Sequence, residues 1–191
     1  ARLTQSALDA LVGNGRSVED VYRLTPMQQG MLLQRLREPE SGAYVTQLRC
    51  RLEGALDERA FVESWQAAAA RHSVIRSSFH WEGVEEPVQV VHREAQIPVR
   101  VEDWSDASAA ERLAAYLEED RRRGFEPTEA PLTRVLLAKE SATAWRLVWT
   151  HHHLLLDGWS VPLLLRDVFA AYEARTRGAE LRLEPNRSFG E

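Results

Sequence analysis

The chain has 191 residues, of which 44% are hydrophobic, enough to bury one core as a single domain. Its formal net charge of −5 provides no broad basic surface, which argues against nucleic-acid binding. A single cysteine, Cys50, excludes an internal disulfide, and we recognise no signal peptide and no apolar stretch of bilayer length, so the sequence predicts a cytoplasmic location away from membranes.

The first half of the chain predicts two helices with a strand between them. Residues 25–28, Thr-Pro-Met-Gln, form a capping box with proline at the first helical position, and Asp57 can cap the second helix. Residues 44–53 alternate apolar and polar side chains, as in a strand with one wetter face. The expected inward positions are Met27, Met31, Leu32 and Leu36 in the first helix, and Phe61, Trp65 and Ala68 in the second.

The second half predicts five strands and two helices. Strands are expected at 77–81, 87–92, 99–101, 132–138 and 145–151, and a last helix at 161–175. Ser108 and Glu111 form another capping-box pattern, opening a helix to about Arg123. The arginines at 121–123 suit a solvated helix end, with docking of an acidic carrier protein as the alternative. The alternation predicts an α+β two-layer sandwich, with helices packed against a mixed β-sheet.

Residues 151–160, His-His-His-Leu-Leu-Leu-Asp-Gly-Trp-Ser, join the last predicted strand to the last helix, a place where open sheets bind substrates. Neighbouring side chains on a strand face opposite ways, so His152 and His153 cannot share one cleft. Four interpretations stay open: buried hydrogen-bonded imidazoles, a metal site of His151, His153 and Asp157, a purification tag, or acid–base catalysis by one histidine. Hydrophobic flanks argue against a tag, and the lack of supporting ligands argues against a metal.

Three other segments precede the histidines: 24–32 (LTPMQQGML), 71–79 (RHSVIRSSF) and 123–134 (RGFEPTEAPLTR). In this order, and followed by His152-His153-xxx-Asp157-Gly158, they resemble the motifs of condensation domains in nonribosomal peptide synthetases. The second family motif is usually written RHxxLRTxF and the last HHxxxDG. The resemblance runs from about Val18 to the end of the chain and implies a lobe similar to chloramphenicol acetyltransferase.

The resemblance implies a role for each residue of the histidine motif. His153 would face a tunnel between two lobes and accept the proton of an attacking amine, or hold that amine by a hydrogen bond. His152 would point away and support the loop. Gly158 is expected to keep the turn tight and to offer a backbone N–H to the developing oxyanion. Trp159 is expected to pack in the interior.

Asp157 is expected to be structural rather than a base. We predict that it forms a buried ion pair with Arg76, or, as a second choice, with Arg71. Loss of either partner would leave an uncompensated buried charge, so Asp157→Ala is expected to lose fold as well as activity.

The resemblance also predicts the organisation and the partners. Residues 1–17 would be a lead-in and 18–191 the N-terminal lobe of a condensation domain, with the C-terminal lobe absent and the chain alone inactive. Partners would be that C-terminal lobe and donor and acceptor peptidyl carrier proteins, which supply phosphopantetheine arms; the chain would hold no cofactor or metal of its own. The alternatives are a non-catalytic docking platform and an HxxxDG acyltransferase with a soluble acceptor, and the intact motif favours a peptide-bond-forming enzyme.

Overall fold

The computed structural model describes residues 17–38, 41–106 and 108–181, so nearly all of the predicted lead-in, 1–17, lies outside them. Within these ranges the chain forms seven strands and four α-helices. The strands are β1 (Val18–Arg23), β2 (Val45–Glu53), β3 (Ser77–His80), β4 (Val88–His92), β5 (Val99–Asp103), β6 (Thr133–Ser141) and β7 (Ala144–His152). The helices are α1 (Pro26–Arg37), α2 (Glu58–Arg71), α3 (Ala109–Arg123) and α4 (Ser160–Arg177).

The strands form two sheets, and the larger one carries the histidine motif. Its order is β2-β7-β6-β5, antiparallel except for the parallel pair β5–β6, which confirms the predicted mixed sheet. The smaller sheet, β1-β4-β3, is antiparallel. Its strand β1 was not predicted from the sequence. The element order and layering are those of an α+β sandwich.

Strand β7 is buried along almost its whole length because helices cover both of its faces. On one face Trp149 packs against Trp65 of α2, with ring centroids 5.3 Å apart. On the other face α3 covers a smaller cluster formed by Trp104, Leu136, Ala138 and Val148. A fully buried large side chain contributes about 1.5–3 kcal/mol, so the core itself holds the strand that leads to His152.

Helix α1 begins where the sequence predicts, but its buried stripe is narrower than expected. Thr25 and Gln28 form both bonds of the capping box. Met31 and Leu32 are buried, whereas Met27 is 70% exposed and Leu36 also faces solvent, so these two expectations are wrong. The helix contacts the rest of the lobe along one side only, which leaves its outer apolar positions uncovered.

The second predicted capping box, at Ser108, does not form. Helix α3 does start at Ala109, but the Ser108 hydroxyl donates to the Asp106 carboxylate at 2.7 Å and caps no helical N–H. In the described ranges, none of the helices has the length and apolarity needed to cross a bilayer. The cytoplasmic location stays a prediction.

Candidate active site

The histidine motif forms a tight turn at the end of β7. His152 is the last residue of the strand and pairs in register with Val45 of β2. The N–H of Leu155 then donates to the carbonyl of His152 at 3.0 Å, which reverses the chain direction. The side chains of residues 154–156, three leucines, are buried and anchor the turn in the core. The turn therefore presents His153 from a rigid base.

His153 is partly exposed, and its tautomer follows from its partner. Its Nδ1 lies 2.6 Å from the carbonyl oxygen of Leu156, and a carbonyl oxygen can only accept. Nδ1 must therefore carry the proton, which leaves the lone pair of the neutral imidazole on Nε2. The backbone N–H of His153 donates to the carbonyl of Tyr44 at 2.8 Å, fixing the residue to the start of β2.

His152 has the opposite tautomer. Its Nδ1 accepts from the backbone N–H of Leu154 at 3.1 Å, and since an N–H can only donate, the proton of the neutral ring sits on Nε2. The side chain is fully buried, and among the described residues its Nε2 has no hydrogen-bond partner. Burial, together with the nearby Arg35, lowers the pKa of His152 to about 4. Because its ring is buried and its Nε2 carries the proton, His152 is suited to supporting the turn and not to accepting a proton.

His151 is a core residue. It is 2% exposed and packs against Trp149 with the rings tilted and their centroids 5.0 Å apart. Burial, with a smaller effect of His153, lowers the pKa of His151 to about 4. Across the described ranges, no three His, Cys, Asp or Glu side chains are arranged to hold a metal ion, so His151, His153 and Asp157 do not converge as ligands.

The predicted ion pair of Asp157 is wrong in this structure. Asp157 is exposed, and its carboxylate accepts from the backbone N–H of Ser160 at 2.8 Å and from its hydroxyl at 2.7 Å. These bonds hold the pKa of Asp157 below its usual range. The side chain therefore organises the start of α4, and no buried charge depends on it within the described residues.

Both arginines proposed as partners of Asp157 are committed elsewhere. Arg76 is buried and donates to Glu19 at 2.6 Å; it also donates to the backbone carbonyls of Ala69, Ala70 and His92. Arg71 bonds Asp167 on α4 at 2.8 Å. Arg76 thus ties β1 to the end of α2, a role that motif spacing alone does not reveal.

Gly158 and Trp159 also differ from expectation. Gly158 is exposed, its φ lies outside the left-handed region, and an added Cβ would meet no described atom within 4 Å. The turn therefore does not need glycine for backbone reasons. Trp159 is 87% exposed, so the expected packing of this indole is wrong within this chain.

A buried polar network that was not predicted from the sequence is centred on Asp120, one turn beyond the apolar positions 113, 116 and 117 of α3. Its carboxylate accepts from Gln47 at 2.8 Å, from the hydroxyl of Thr150 at 2.7 Å and from Arg134. Burial would raise the pKa of Asp120, but the bonds from Arg134, Thr150 and Gln47 outweigh it and hold the pKa low. An acidic residue in register with the apolar face of a helix is the signal that could have found it.

Arg134, from the third motif, completes this network. Its guanidinium donates to the carbonyls of Asp120 and Gly124, each at 2.6 Å, and lies 4.1 Å from the ring centroid of Phe125. The network connects the end of α3 to β6 and to Thr150, three residues before His153. The third motif therefore has a structural role behind the histidine turn.

The sequence model of the condensation domain family matches residues 18–191. The chain belongs to the condensation domain family. This condensation-domain chain is 45% identical over 185 residues to one of the linear gramicidin synthase proteins of Brevibacillus parabrevis, a match that covers 95% of the chain and 2% of that relative. It is 34% identical over 180 residues to bacitracin synthase 3 of Bacillus licheniformis, covering 93% of the chain and 3% of the relative.

Solved condensation domains have the same fold. The starter condensation domain of rhizomide synthetase RzmA superposes with a TM-score of 0.79 at 21% identity, covering 86% of this chain and 41% of that one. The first condensation domain of the calcium-dependent antibiotic synthetase, in complex with a substrate analogue, gives 0.80 at 17% identity, covering 87% and 41%. These likenesses show that the chain has the fold of solved condensation domains, in agreement with the predicted α+β sandwich. The condensation-domain chain thus spans about two-fifths of those solved chains and a few per cent of its curated relatives.

Proposed function

We propose that this chain supplies the catalytic histidine, His153, of a condensation domain that forms amide bonds between substrates on two peptidyl carrier proteins. The donor is an acyl or peptidyl thioester and the acceptor an aminoacyl thioester, each on a phosphopantetheine arm that the carrier provides. The observation that carries this proposal is the pair of opposite tautomers: of the two motif histidines, His153 has a basic Nε2 and partial exposure, and His152 has neither.

The reaction moves one proton, from the attacking nitrogen to the leaving sulfur. The acceptor's amine nitrogen attacks the carbonyl carbon of the donor thioester, and His153 Nε2 takes a proton from that nitrogen as the C–N bond forms. The C–S bond of the tetrahedral intermediate then breaks, and the proton passes to the leaving sulfur, giving one amide and one free thiol. Because the thioester is already activated, positioning contributes strongly, and a well-placed base adds about 10²–10⁴-fold in rate.

The remaining motif residues support this centre. His152 accepts the Leu154 N–H and holds the turn from inside. Asp157 fixes the first residue of α4. The Gly158 N–H is proposed to face the oxyanion of the intermediate, and the exposed position of Gly158 leaves it accessible to a substrate.

We propose that residues 18–191 form the N-terminal lobe and that the C-terminal lobe of the same condensation domain covers its exposed apolar side chains. Trp159 and Leu163, one turn apart at the start of α4, are both exposed, and exposed apolar side chains grouped in this way mark interaction surfaces. The proposal implies that the chain alone does not condense substrates and that it uses no cofactor of its own.

The test is a single-turnover condensation assay in a protein that carries a complete condensation domain. Donor and acceptor carriers are loaded, and the intact mass of the acceptor is followed for the parent, His153→Asn and His152→Asn. Asparagine at 153 can keep the bond to the Leu156 carbonyl but has no atom at Nε2, and asparagine at 152 can still accept the Leu154 N–H.

We expect His153→Asn to slow product formation by about 10²–10⁴-fold at an unchanged melting temperature, whereas His152→Asn keeps most of the rate. Equal rates for the parent and His153→Asn would overturn the assignment of the base. No mass gain even in the parent would favour the docking-platform alternative over an enzyme.

A further inference from the structure

The side chain of Gln28 in α1 makes a direct bond to the histidine turn. Its Nε2 donates to the carbonyl oxygen of Leu154 at 3.1 Å, across 126 positions of sequence. The same amide serves the capping box: its Oε1 accepts from the backbone N–H of Thr25 at 3.0 Å and from the Thr25 hydroxyl at 3.1 Å. One side chain therefore closes the start of α1 and holds the residue next to His153.

The orientation of this amide is fixed by its partners at both ends. A backbone N–H can only donate, so the atom that faces Thr25 N must be the amide oxygen. A carbonyl oxygen can only accept, so the atom that faces Leu154 O must be the amide nitrogen. Flipping the amide would put two donors together at one end and two acceptors at the other. The geometry is satisfied in one orientation alone.

We call the link from Thr25 through the Gln28 side chain to Leu154 the bridge; it continues into the smaller sheet. The second proton of Gln28 Nε2 goes to Gln89 Oε1 at 3.2 Å, and Gln89 Nε2 donates to the hydroxyl of Ser77 at 2.8 Å. Ser77 belongs to the second motif and Gln28 to the first. Three segments separated in sequence thus meet in one chain of hydrogen bonds that ends at the turn carrying His153.

We propose that Gln28 is a positioning residue for His153. Two contacts from other segments hold the backbone of His153 and Leu154: the Tyr44 carbonyl accepts the His153 N–H, and the Gln28 side-chain amide donates to the Leu154 carbonyl. Loss of the second contact removes a backbone restraint on Leu154, one of the two residues between His153 and its Nδ1 partner, Leu156. The imidazole then samples other orientations, and a shift of about 1 Å of a catalytic group can cost up to about 10²-fold in rate. The effect on rate rests on the proposed function of His153; the effect on the imidazole does not.

The sharpest variant is Gln28→Glu. A carboxylate at this position can still accept from Thr25 and complete the capping box, and a negative charge suits a helix N-terminus. It cannot donate to Leu154 O unless it is protonated. Gln29→Glu is the matched control: it adds the same charge one residue away and likewise removes an amide donor to a backbone carbonyl, that of Leu24 at 3.1 Å, but it leaves the bond to Leu154 intact. Both are compared with the parent in a protein carrying a complete condensation domain.

Two readouts are measured. The ¹⁵N shifts of the labelled His153 ring report whether Nδ1 still carries the proton, and the condensation assay gives kcat and KM for the loaded carriers. We expect Gln28→Glu to lose the uniform Nδ1–H state and to lower kcat by about 10–10²-fold with little change in KM. Its kcat relative to the parent at the same pH should rise as the pH falls, since the introduced carboxyl group regains a donor when it is protonated. Gln29→Glu should match the parent in both.

Unchanged ring shifts and unchanged kcat in Gln28→Glu would overturn the positioning role. Altered ring shifts in Gln28→Glu, together with equal rates for the parent and His153→Asn, would support the positioning role but overturn the proposed catalytic function of His153. If Gln28→Glu does not fold, Gln28→Ala is compared with Thr25→Ala: both lose the capping box, but only the first loses the bridge. Equal ring shifts and rates in those two variants would also overturn the proposal.

Discussion

Acidification should destabilise this chain because β7 ends in two buried, neutral imidazoles. His151 and His152 are both buried, and burial lowers the pKa of each from 6.5 to about 4. In the unfolded chain each ring takes up a proton near its ordinary pKa, whereas in the folded chain it does so only near 4. Between these values the unfolded state binds more protons, so the free energy of unfolding falls as the pH falls from 6.5 towards 4.

The size of the effect follows from the two pKa values. For one imidazole, the free energy of unfolding should drop by about 2 kcal/mol between pH 7.5 and pH 5. For His151 and His152 together the drop is about 4 kcal/mol. Since a domain is stable by only about 5–15 kcal/mol, this pair alone could bring the lobe close to its unfolding midpoint at mildly acidic pH.

The assay is urea denaturation followed by tryptophan fluorescence at pH 7.5 and pH 5, on the parent and on His152→Asn. The asparagine can accept the Leu154 N–H but does not titrate. Burial also lowers the pKa of His72, His80 and His92, so the quantity to compare is the difference between parent and variant. The variant should lose about 2 kcal/mol less than the parent on acidification. Equal losses would refute the buried, neutral state of His152.

Three further changes test other parts of the lobe. Tyr44 has a φ of 64°, so Tyr44→Gly should be more stable than Tyr44→Ala by about 1 kcal/mol in urea denaturation, the reverse of the usual order for these two residues; the usual order would contradict the strained backbone. Asp120→Ala should lower the free energy of unfolding by about 3–5 kcal/mol in the same assay, because it leaves the buried guanidinium of Arg134 without its carboxylate. The control, Glu119→Ala at an exposed position, should lower it by less than about 1 kcal/mol. Similar losses in the two variants would disprove the network. Asp157→Ala should cost about 1 kcal/mol, the value of a helix cap, with most of it restored by Asp157→Asn; a loss of several kcal/mol would reveal a buried ionic partner.

Local sequence signals predicted the elements well where nothing competed for the same atoms. The pattern at Thr25 and the pattern at Ser108 are the same capping-box signature, but only the first forms. At the second, Asp106 lies two residues earlier and takes both the N–H and the hydroxyl of Ser108. A capping box would need the Ser108 N–H for the Glu111 carboxylate, but the Asp106 carboxylate, closer along the chain, already accepts it, so the signature must be weighed against its neighbours.

Strand β1 was missed for a different reason. Among the described residues it lies at the edge of the smaller sheet and pairs with β4 alone, with a register irregularity between Val18 and Asp20. Edge strands tolerate charged side chains, and the sequence Val-Glu-Asp-Val-Tyr-Arg lacks a clean alternation. Glu19 on this strand is the ion-pair partner of Arg76. Because β1 was not recognised from the sequence, Arg76 was predicted to pair with Asp157 instead.

The two motif histidines show which property of a side chain the sequence predicts and which one requires the structure. Strand parity predicted that His152 and His153 face opposite ways, but parity says nothing about which ring has a basic Nε2. The turn decides this, because it offers an N–H, from Leu154, to one Nδ1 and a carbonyl, from Leu156, to the other. Identical side chains therefore acquire opposite proton arrangements from the backbone alone. Because both partners belong to the turn, the proposed catalytic role of His153 depends on the contacts that hold the turn as much as on the imidazole itself.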